Sequence, residues 1–387
     1  MDVLGGHPLG QTEPMSATLL RPVARSATRL PLRAHAARLH RWLGLAAAVF
    51  WIIQAVTGVL IVFHWEIDDA TLGGRHAATD LPRIEARAAA LAPAGSGRTI
   101  ESIWTSAGFA DRYDVTVADQ ANGTSRVVRV AGDGSVLRDR SDAATPFTDV
   151  LVGIHQTLLG GEAGSWIVGT TGSLLLTNLL FGLVAAWPKP RTWRRAVVPV
   201  RTGPAIAKAY SWHRAVGLWG ALPAIVLVAA GTMLVFEDGT ARLVGATPVA
   251  VPALPGTPRI GIAAAVASAE RALPGSRLTA ITTMPSETNA IYRIRLLAPG
   301  EFRRAFGTST VDVDAVTGRV RQLHRATQAP AATRFMDMLY TVHTGEIAGT
   351  VGRLLVMSIG VWLASMIVLG LLLWQRRHNV RRRRENT

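Results

Sequence analysis

The segment LHRWLGLAAAVFWIIQAVTGVLIVFHWEIDD, Leu39 to Asp69, contains a long uncharged run from Trp42 to Phe63. A helix of this length rises about 33 Å and crosses a hydrocarbon core of roughly 30 Å. His40 stands just before the run; on an ideal helix Gly44 lies about 40° round from it, and Gly58 returns to the same angle. The pattern predicts a membrane-spanning helix with an imidazole on one face, followed by an open groove where a flat group could approach the backbone.

The same face recurs in a second segment, SWHRAVGLWGALPAIVLVAAGTMLVFED, from Ser211 to Asp238. His213 is followed by Gly217 and then by Gly231 at the same intervals as in the first segment. A single histidine at a membrane interface usually only extends its ring towards the lipid headgroups. The repetition favours a functional site instead, since an ionisable residue at a helix entrance that faces a bundle indicates one.

The composition is that of a membrane protein, with 387 residues, 49% of them hydrophobic, and a positive mean hydropathy. The absence of cysteine excludes disulfides, iron–sulfur clusters and c-type haem attachment, so that any metal must be bound by His, Asp, Glu or Met. The formal net charge of +15 is concentrated beside the apolar runs. This distribution indicates contact with a lipid bilayer and no nucleic-acid partner.

Four apolar spans divide the chain, and the basic residues near their ends predict the orientation. The N-terminal tail, the loop after the second span and the C-terminal tail are strongly positive, so we expect both termini in the cytoplasm of a bacterium and the protein in its inner membrane. The predicted organisation is a tail at 1–38, a span at 39–64, a periplasmic module at 65–150, a histidine-bearing lead-in and span at 151–187, a basic loop at 188–211, a span at 212–237, a second periplasmic module at 238–340, a lead-in and span at 341–375, and a basic tail at 376–387.

The two periplasmic segments have the alternation and turn residues of small α+β modules. In the first we predict a short helix at Thr99–Ala107 and two strands paired around Asn122-Gly123. In the second we predict a helix followed by strands and a tight turn at residues 315–318. The paired strands of the first module are Tyr113–Ala118 and Thr124–Val130. The helix of the second module is Ile262–Leu273, and its strands are Ile291–Leu297 and Thr308–Val313.

Each half of the chain has the same order: a span that begins with His-Arg, a soluble segment, a histidine followed by Gly-Glu, and a returning span. Two such parallel repeats pack about an axis along the membrane normal. The symmetry pairs His40 with His213 on the cytoplasmic side, and His155 with His343 on the exterior side. Two imidazoles from facing helices of a four-helix bundle suit a haem b with both axial positions filled, so we expect two haems, four histidine ligands and electron-transfer chemistry.

Two other uses of these histidines stay open. Zinc requires more ligands that converge tetrahedrally, and the sequence has no HxxxH or similar cluster. A proton relay through isolated histidines is the second alternative. His64, at the exit of the first span, lies about 120° away from His40 on a straight helix, and it would reach an exterior haem or a substrate metal only if the helix kinks. It is a further candidate cofactor ligand.

The motifs RLHRWLGL, GIHQTLLGGEAG, SWHRAVGL and TVHTGEIAG resemble those of the PepSY-associated transmembrane family, over roughly residues 36–378. Members of that family include iron-regulated inner-membrane proteins and ferrisiderophore reductases, understood as di-haem proteins with small PepSY modules outside the membrane. The resemblance implies a membrane-bound, haem-dependent ferric reductase that acts on a ferric siderophore or another extracytoplasmic electron acceptor. The segment Val313–Val320 resembles the end of a PepSY module.

The sequence contains no nucleotide-binding loop and no flavin domain, so the electrons would come from a quinol or an unknown separate donor. The alternative is a PepSY-type regulatory or binding protein that acts on exterior proteases, in which the histidines are structural. A proton-coupled transporter is a third possibility, disfavoured because the span interiors contain no acidic or basic residue.

Overall fold

The computed structural model describes residues 32–72, 76–106, 109–140, 146–286, 288–303 and 305–385, so the tail predicted at 1–38 lies mostly outside the described residues. The helices, in chain order, are α1 Leu32–Ile61, α2 His64–Thr71, α3 Leu81–Leu91, α4 Phe147–Thr157, α5 Gly161–Ala186, α6 Trp193–Val197, α7 Ala205–Val235, α8 Glu237–Val244, α9 Ile262–Ala272, α10 Ala331–Thr344 and α11 Gly349–Glu385. The strands are β1 Arg98–Thr105, β2 Arg112–Asp119, β3 Thr124–Ala131, β4 Val136–Asp139, β5 Arg277–Thr283, β6 Ile291–Leu297, β7 Ser309–Asp314 and β8 Val320–His324.

Four of the described helices, α1, α5, α7 and α11, are long and apolar enough to cross a membrane, which confirms a membrane protein. They form a ring in which α1 packs on α5, α5 on α7, α7 on α11, and α11 on α1, so that α1 and α7 face each other across the diagonal. The fourth helix continues through the basic tail to Glu385, beyond the boundary predicted at residue 375. Two tryptophan indoles hydrogen-bond to adjacent helices of the bundle: Trp51 donates to the Thr171 carbonyl and Trp362 to the Val216 carbonyl, each at 2.9 Å.

The bundle is apolar on its outside and lined with small residues within. Val49, Leu222 and Leu355 are more than half exposed, as side chains that face lipid would be. Buried alanines such as Ala215 and Ala224 allow the helix backbones to approach closely. Below, the end of the bundle where α1 and α7 finish is called the sheet end, and the end that carries residues 188–204 and the arginines of α11 is called the basic end.

The soluble segments join in one antiparallel sheet of eight described strands, in the order β4-β3-β2-β1-β5-β6-β7-β8. Each segment contributes four strands, and the junction is the pairing of β1 with β5 through Ile103–Ile281 and Trp104–Ala280. This junction is absent from the predictions made from the sequence, because the two strands lie in different halves of the chain. The strands predicted around Asn122-Gly123 and at Ile291–Leu297 are present as β2, β3 and β6.

The helix predicted at Thr99–Ala107 is wrong: the described part of this segment is β1, the strand at which the two halves of the sheet meet. Its β-branched and aromatic residues, Thr99, Ile100, Ile103, Trp104 and Thr105, fit a pleated surface. The helix of the first module is α3, which Asp80 caps by accepting a hydrogen bond from the Arg83 amide at 3.1 Å.

The two faces of the sheet have different partners. Residues such as Val115, Val128, Ile294 and Val311 are completely buried and share one core with the helices α3 and α9. The alternate residues of the same strands point the other way because side-chain direction has a period of two. That second face lies over the sheet end of the bundle, where Trp65 of α2 contacts Phe306 at 5.5 Å between ring centroids.

Candidate functional site

Two histidines meet at the basic end of the bundle, from helices that face each other across its diagonal. His40 lies near the start of α1 and His213 near the start of α7, and their ring centroids are 6.1 Å apart with the ring planes inclined by 54°. The His40 Nδ1 lies 3.0 Å from the carbonyl oxygen of Asn178, on α5 between them. The structure therefore brings together the first predicted pair of site residues.

A second pair of histidines meets at the sheet end. His155 and His343 belong to the lead-in helices α4 and α10, and their ring centroids are 6.2 Å apart with the planes inclined by only 30°. The His155 Nδ1 lies 3.1 Å from the hydroxyl of Thr57 on α1, and the His343 Nδ1 lies 3.0 Å from the carbonyl of Leu227 on α7. Each ring is thus held by one of the two diagonal helices.

These contacts determine which ring nitrogen is available to a ligand. A backbone carbonyl can only accept, so Nδ1 of His40 and Nδ1 of His343 carry the proton and donate it. Nε2 of each ring is then an unprotonated nitrogen with no hydrogen bond to any described residue. A histidine that binds a metal ordinarily has its second ring nitrogen held in this way. The Nδ1 of His213 is buried and has no hydrogen-bond partner within the described chain.

A glycine from a neighbouring helix lies against each ring. A Cβ atom added at Gly182 would come within 2.8 Å of His40, and one at Gly58 within 3.0 Å of His155. At Gly231 it would come within 2.5 Å of His343, whereas at Gly370 it would lie 3.6 Å from His213, an ordinary contact. The sequence pattern placed Gly58 on the helix face of His40 and Gly231 on the helix face of His213. It did not indicate that these glycines would lie against His155 and His343.

Gly182 and Gly370 were missed because each lies on a different helix from its histidine. A signal was present in the repeat, since FGLVAAW (181–187) and LGLLLW (369–374) both place Gly-Leu shortly before a tryptophan at the end of a span. Gly44 and Gly217 lie away from the rings: the nearest atoms to an added Cβ are the Asn178 amide nitrogen at 3.9 Å and the Met366 methyl at 3.3 Å. Their predicted contact with a cofactor stays a prediction.

His64 lies apart from both pairs. The helix α1 ends at Ile61, and His64 begins α2, where its Nδ1 contacts the Ile61 carbonyl and its ring packs against Trp65 at 5.2 Å. The ring is therefore occupied by the preceding turn of its own chain and by its neighbour. The structure gives His64 no place in either imidazole pair.

The geometry of each pair suits one metal ion held between two opposed imidazoles. A ring nitrogen binds a transition metal at about 2 Å and lies about 1.2 Å from the ring centre, so two rings on opposite sides of one ion have centres roughly 6.4 Å apart. The measured 6.1 and 6.2 Å are close to that value. No group of three or more His, Cys, Asp or Glu that could hold a metal occurs among the described residues, which argues against a tetrahedral zinc centre. The residues present fit the axial positions of the expected haems.

The two pairs lie at opposite ends of the bundle. On α1, His40 belongs to the basic-end pair, and Gly58 lies against His155 of the other pair. On α7, His213 and Gly231 are separated by the same interval, and Gly231 lies against His343. This interval corresponds to about 27 Å of helix, close to the thickness of the hydrocarbon core. Two groups bound at these pairs would be placed near the two faces of a membrane.

Comparison with protein families agrees with the motifs. The family described as the PepSY-associated TM region matches residues 37–377, a range that includes all four paired histidines. A search of curated proteins finds no match to the chain. The resemblance stated from the sequence is confirmed, and the chain belongs to the PepSY-associated transmembrane family.

Proposed function

We propose that this protein carries electrons through the membrane by way of two b haems and reduces a ferric siderophore or similar ferric chelate at the sheet end. His40 and His213 would hold the haem at the basic end, and His155 with His343 the haem at the sheet end. The observation that carries the proposal is the pair of imidazoles at each end, whose ring centroids lie 6.1 and 6.2 Å apart, a separation that one metal ion between them would require. The donor at the basic end would be a quinol or a separate redox protein.

The chain's own residues would do four things for this function. The four histidines would hold the two haems, and with two protein ligands each haem would serve electron transfer and not oxygen binding. The carbonyls of Asn178 and Leu227 orient two of the rings, and the glycines beside the rings provide space. The apolar interior excludes water. When bound, each haem would supply a one-electron carrier, and one electron suffices to reduce Fe(III) in a chelate to Fe(II).

The proposed direction rests on charge. The loop 188–211 contains six Lys or Arg and no acid, and α11 ends in a run of arginines, so the basic end would lie in the cytoplasm of the inner membrane with both chain termini. The sheet would then lie outside, where a bulky chelate could reach it. We further propose that the two halves are parallel repeats, which the equal intervals on α1 and α7 support.

Stopped-flow oxidation tests the function. The haem-loaded protein is reduced, freed of reductant and mixed with ferric citrate, and oxidation is followed at the Soret band. We expect His343→Ala to lose the sheet-end haem and to pass electrons to the chelate at least about tenfold more slowly than the wild type. His378→Ala is the matched control, because this ring lies beyond the bundle, stacked on Trp374, and it should leave the rate unchanged.

Two results would count against the proposal. If His343→Ala lacks one haem and still reduces ferric citrate at the wild-type rate, the route through the sheet end is wrong. If the purified wild-type protein has no Soret band at all after expression with haem supplied, the histidines are structural and the regulatory, protease-directed alternative is favoured.

A further inference from the structure

A cleft opens between the loop that joins β6 to β7 and the helix α10. It has a volume of about 80 Å³, and the charged side chains that line it are Glu301, Arg303, Arg334 and Asp337. Arg303 forms its inner wall, with the guanidinium carbon 4.0 Å from the centroid of the Tyr340 ring. Arg334 is exposed and belongs to its outer part. The cleft is large enough for a small charged group of a ligand and too small for a whole chelate.

The two arginines of the cleft lack salt-bridge partners. Neither Arg303 nor Arg334 has a carboxylate within salt-bridge distance among the described residues, and the Nε of Arg303 is buried without a hydrogen-bond partner there. Nearby Arg295 is in the same situation: its Nε is buried and unpartnered, and its guanidinium lies 5.5 Å from the centroid of Trp104. Buried guanidinium groups ordinarily find an anionic partner.

The acids of the cleft compensate these arginines only in part. The Glu301 carboxylate accepts hydrogen bonds from the Ala298 amide at 2.9 Å and from the amide and hydroxyl of Thr308, so it is committed to its own loop. Burial raises the pKa of Asp337 to about 6, which means that its negative charge is more easily lost than that of an ordinary aspartate. Arg303 also donates a hydrogen bond to the Tyr340 hydroxyl and lies near the buried Glu346, so an incoming anion would find a partly compensated Arg303 beside an exposed Arg334.

The first half of the sheet shows how such arginines are neutralised elsewhere. There Arg129 and Arg138 bind Asp68, and Arg112 binds Asp69, and both of these acids lie on α2. In the second half of the chain, α8 follows Phe236 as α2 follows Phe63 in the first half. Five and six residues after the phenylalanine, where α2 has the two aspartates, α8 has an alanine at 241 and an arginine at 242. On the second side the acids near the sheet arginines are Asp337 of α10, Glu237 of α8 and Glu346, and none of them lies within salt-bridge distance of Arg295 or Arg303 among the described residues.

The cleft is also close to the sheet-end imidazole pair. Tyr340, on which Arg303 packs, lies one helical turn before His343 on the same helix. Asp337 lies about 9 Å before His343 along the helix axis. A group bound in the cleft would be a short distance from the ring that holds the sheet-end haem in the proposed function.

We propose that this cleft is the docking site for the electron acceptor, and that it recognises the anionic oxygens of a negatively charged ferric chelate through Arg303 and Arg334. The inference rests on the proposed function, and it names the acceptor by its charge. A chelate with carboxylate or catecholate oxygens is preferred, and one whose oxygens carry no net negative charge is not. The bulk of the chelate stays outside, over the mouth of the cleft.

Binding of redox-inert gallium(III) chelates tests the site without any electron transfer. The full-length protein is titrated with the gallium complex of a hexadentate tricatecholate, which is triply negative, and with that of a neutral trihydroxamate. We expect Arg303→Gln combined with Arg334→Gln to weaken binding of the negative complex about tenfold or more, the loss of one or two charge-assisted contacts. Asp337→Asn should strengthen it.

Two further variants separate the cleft from general effects. Arg334→Gln alone changes an exposed side chain, so it should weaken binding about threefold without disturbing the fold. Arg271→Gln removes the same charge from α9, on the opposite face of the sheet, and should have no effect. The proposal is overturned if Arg271→Gln weakens binding as much as the double variant, if the double variant binds normally, or if the neutral complex binds as well as the negative one.

The cleft and the proposed function can fail separately. If gallium tricatecholate binds with the expected dependence on the arginines but the reduced protein does not reduce ferric citrate, the cleft stands and the electron-transfer proposal falls. If the haem-loaded double variant reduces ferric citrate at the wild-type rate, electron transfer stands and the cleft is not the docking site.

Discussion

At the scale of single residues, the site depends on space as much as on ligands. Each of the four paired histidines lies against a glycine of another helix; the contacts at Gly182 and Gly231 leave no room for a methyl group, and the contact at Gly58 is tight. Glycine inside a helix is unfavourable, because it destabilises the helix by up to about 1 kcal/mol relative to alanine. These glycines therefore provide space for the rings beside them at a cost to the helices that contain them.

Gly231 and Gly370 form a natural comparison. An alanine methyl at 231 would lie 2.5 Å from the His343 ring, whereas at 370 it would lie 3.6 Å from His213. We expect Gly231→Ala to lose most of the sheet-end haem and Gly370→Ala to keep both haems, measured as haem per chain by the pyridine haemochrome assay. Gly239→Ala, with no atom within 4 Å of the new methyl, is the control. Equal haem loading in all three variants would show that ring clearance does not matter.

At the scale of elements, the sheet is attached to the bundle by charge. Asp68 of α2 is buried and bonds to Arg129 on β3 and to Arg138 on β4, while Arg129 also binds Asp114 on β2 at 2.7 Å. The other half of the sheet has the same cross-strand pair with its charges exchanged, an arginine at 293 on β6 and an aspartate at 312 on β7. Among the described residues, the cross-strand pair of the first half is joined through Arg129 to Asp68 of α2. The pair of the second half has no such ion pair to a bundle helix within the described chain.

Removal of Asp68 should therefore loosen this attachment. Loss of one partner from a buried ion pair costs up to about 3–5 kcal/mol. Arg129 would keep Asp114 as a partner, whereas Arg138 would lose its acid. For Asp68→Ala we expect the melting temperature in detergent to fall by about 6 °C or more. Asp119→Ala removes a partly exposed acid that lies 3.9 Å from Arg98, and should cost at most about 1 kcal/mol. Equal melting temperatures for the two variants would mean that the Asp68 network contributes little.

The elements also show what the sequence could reveal. The spans were predictable because long uncharged runs have few other uses, and β6 was predictable because Tyr292, Ile294 and Leu296 alternate along one buried face. The junction of β1 with β5 was not predictable, since nothing local indicates pairing between strands that lie in different halves of the chain. At β1 the helix prediction passed over the β-branched and aromatic residues of the segment, which favour a strand.

The candidate site was predictable to a similar extent. Pairing of His40 with His213 followed from a repeated motif, and pairing of His155 with His343 followed from the order of elements. The groups that support the rings could not be found in this way: they are a threonine hydroxyl at 57 and the backbone carbonyls of residues 178 and 227. A backbone carbonyl leaves no trace in the amino-acid type, and a threonine within a span usually bonds its own helix.

At the scale of the whole molecule, the fold places two equivalent sites in unequal surroundings. The basic-end pair lies beside charged loops, whereas the sheet-end pair lies beneath a sheet that carries aromatic and arginine side chains above it. An electron that enters at one end and leaves at the other would cross about 27 Å along α1 or α7. The asymmetry of the two ends is what would give the transfer a direction.

Haem stoichiometry in single histidine variants tests the central claim most directly, which is that each imidazole pair holds one haem independently of the other. The wild-type protein should contain two haems per chain, and His40→Ala, His213→Ala, His155→Ala and His343→Ala should each contain one. Variants of the same pair should lose the same spectroscopic component, and His378→Ala should keep both. Loss of both haems from any single variant that still inserts stably, or of neither from all four, would contradict the account.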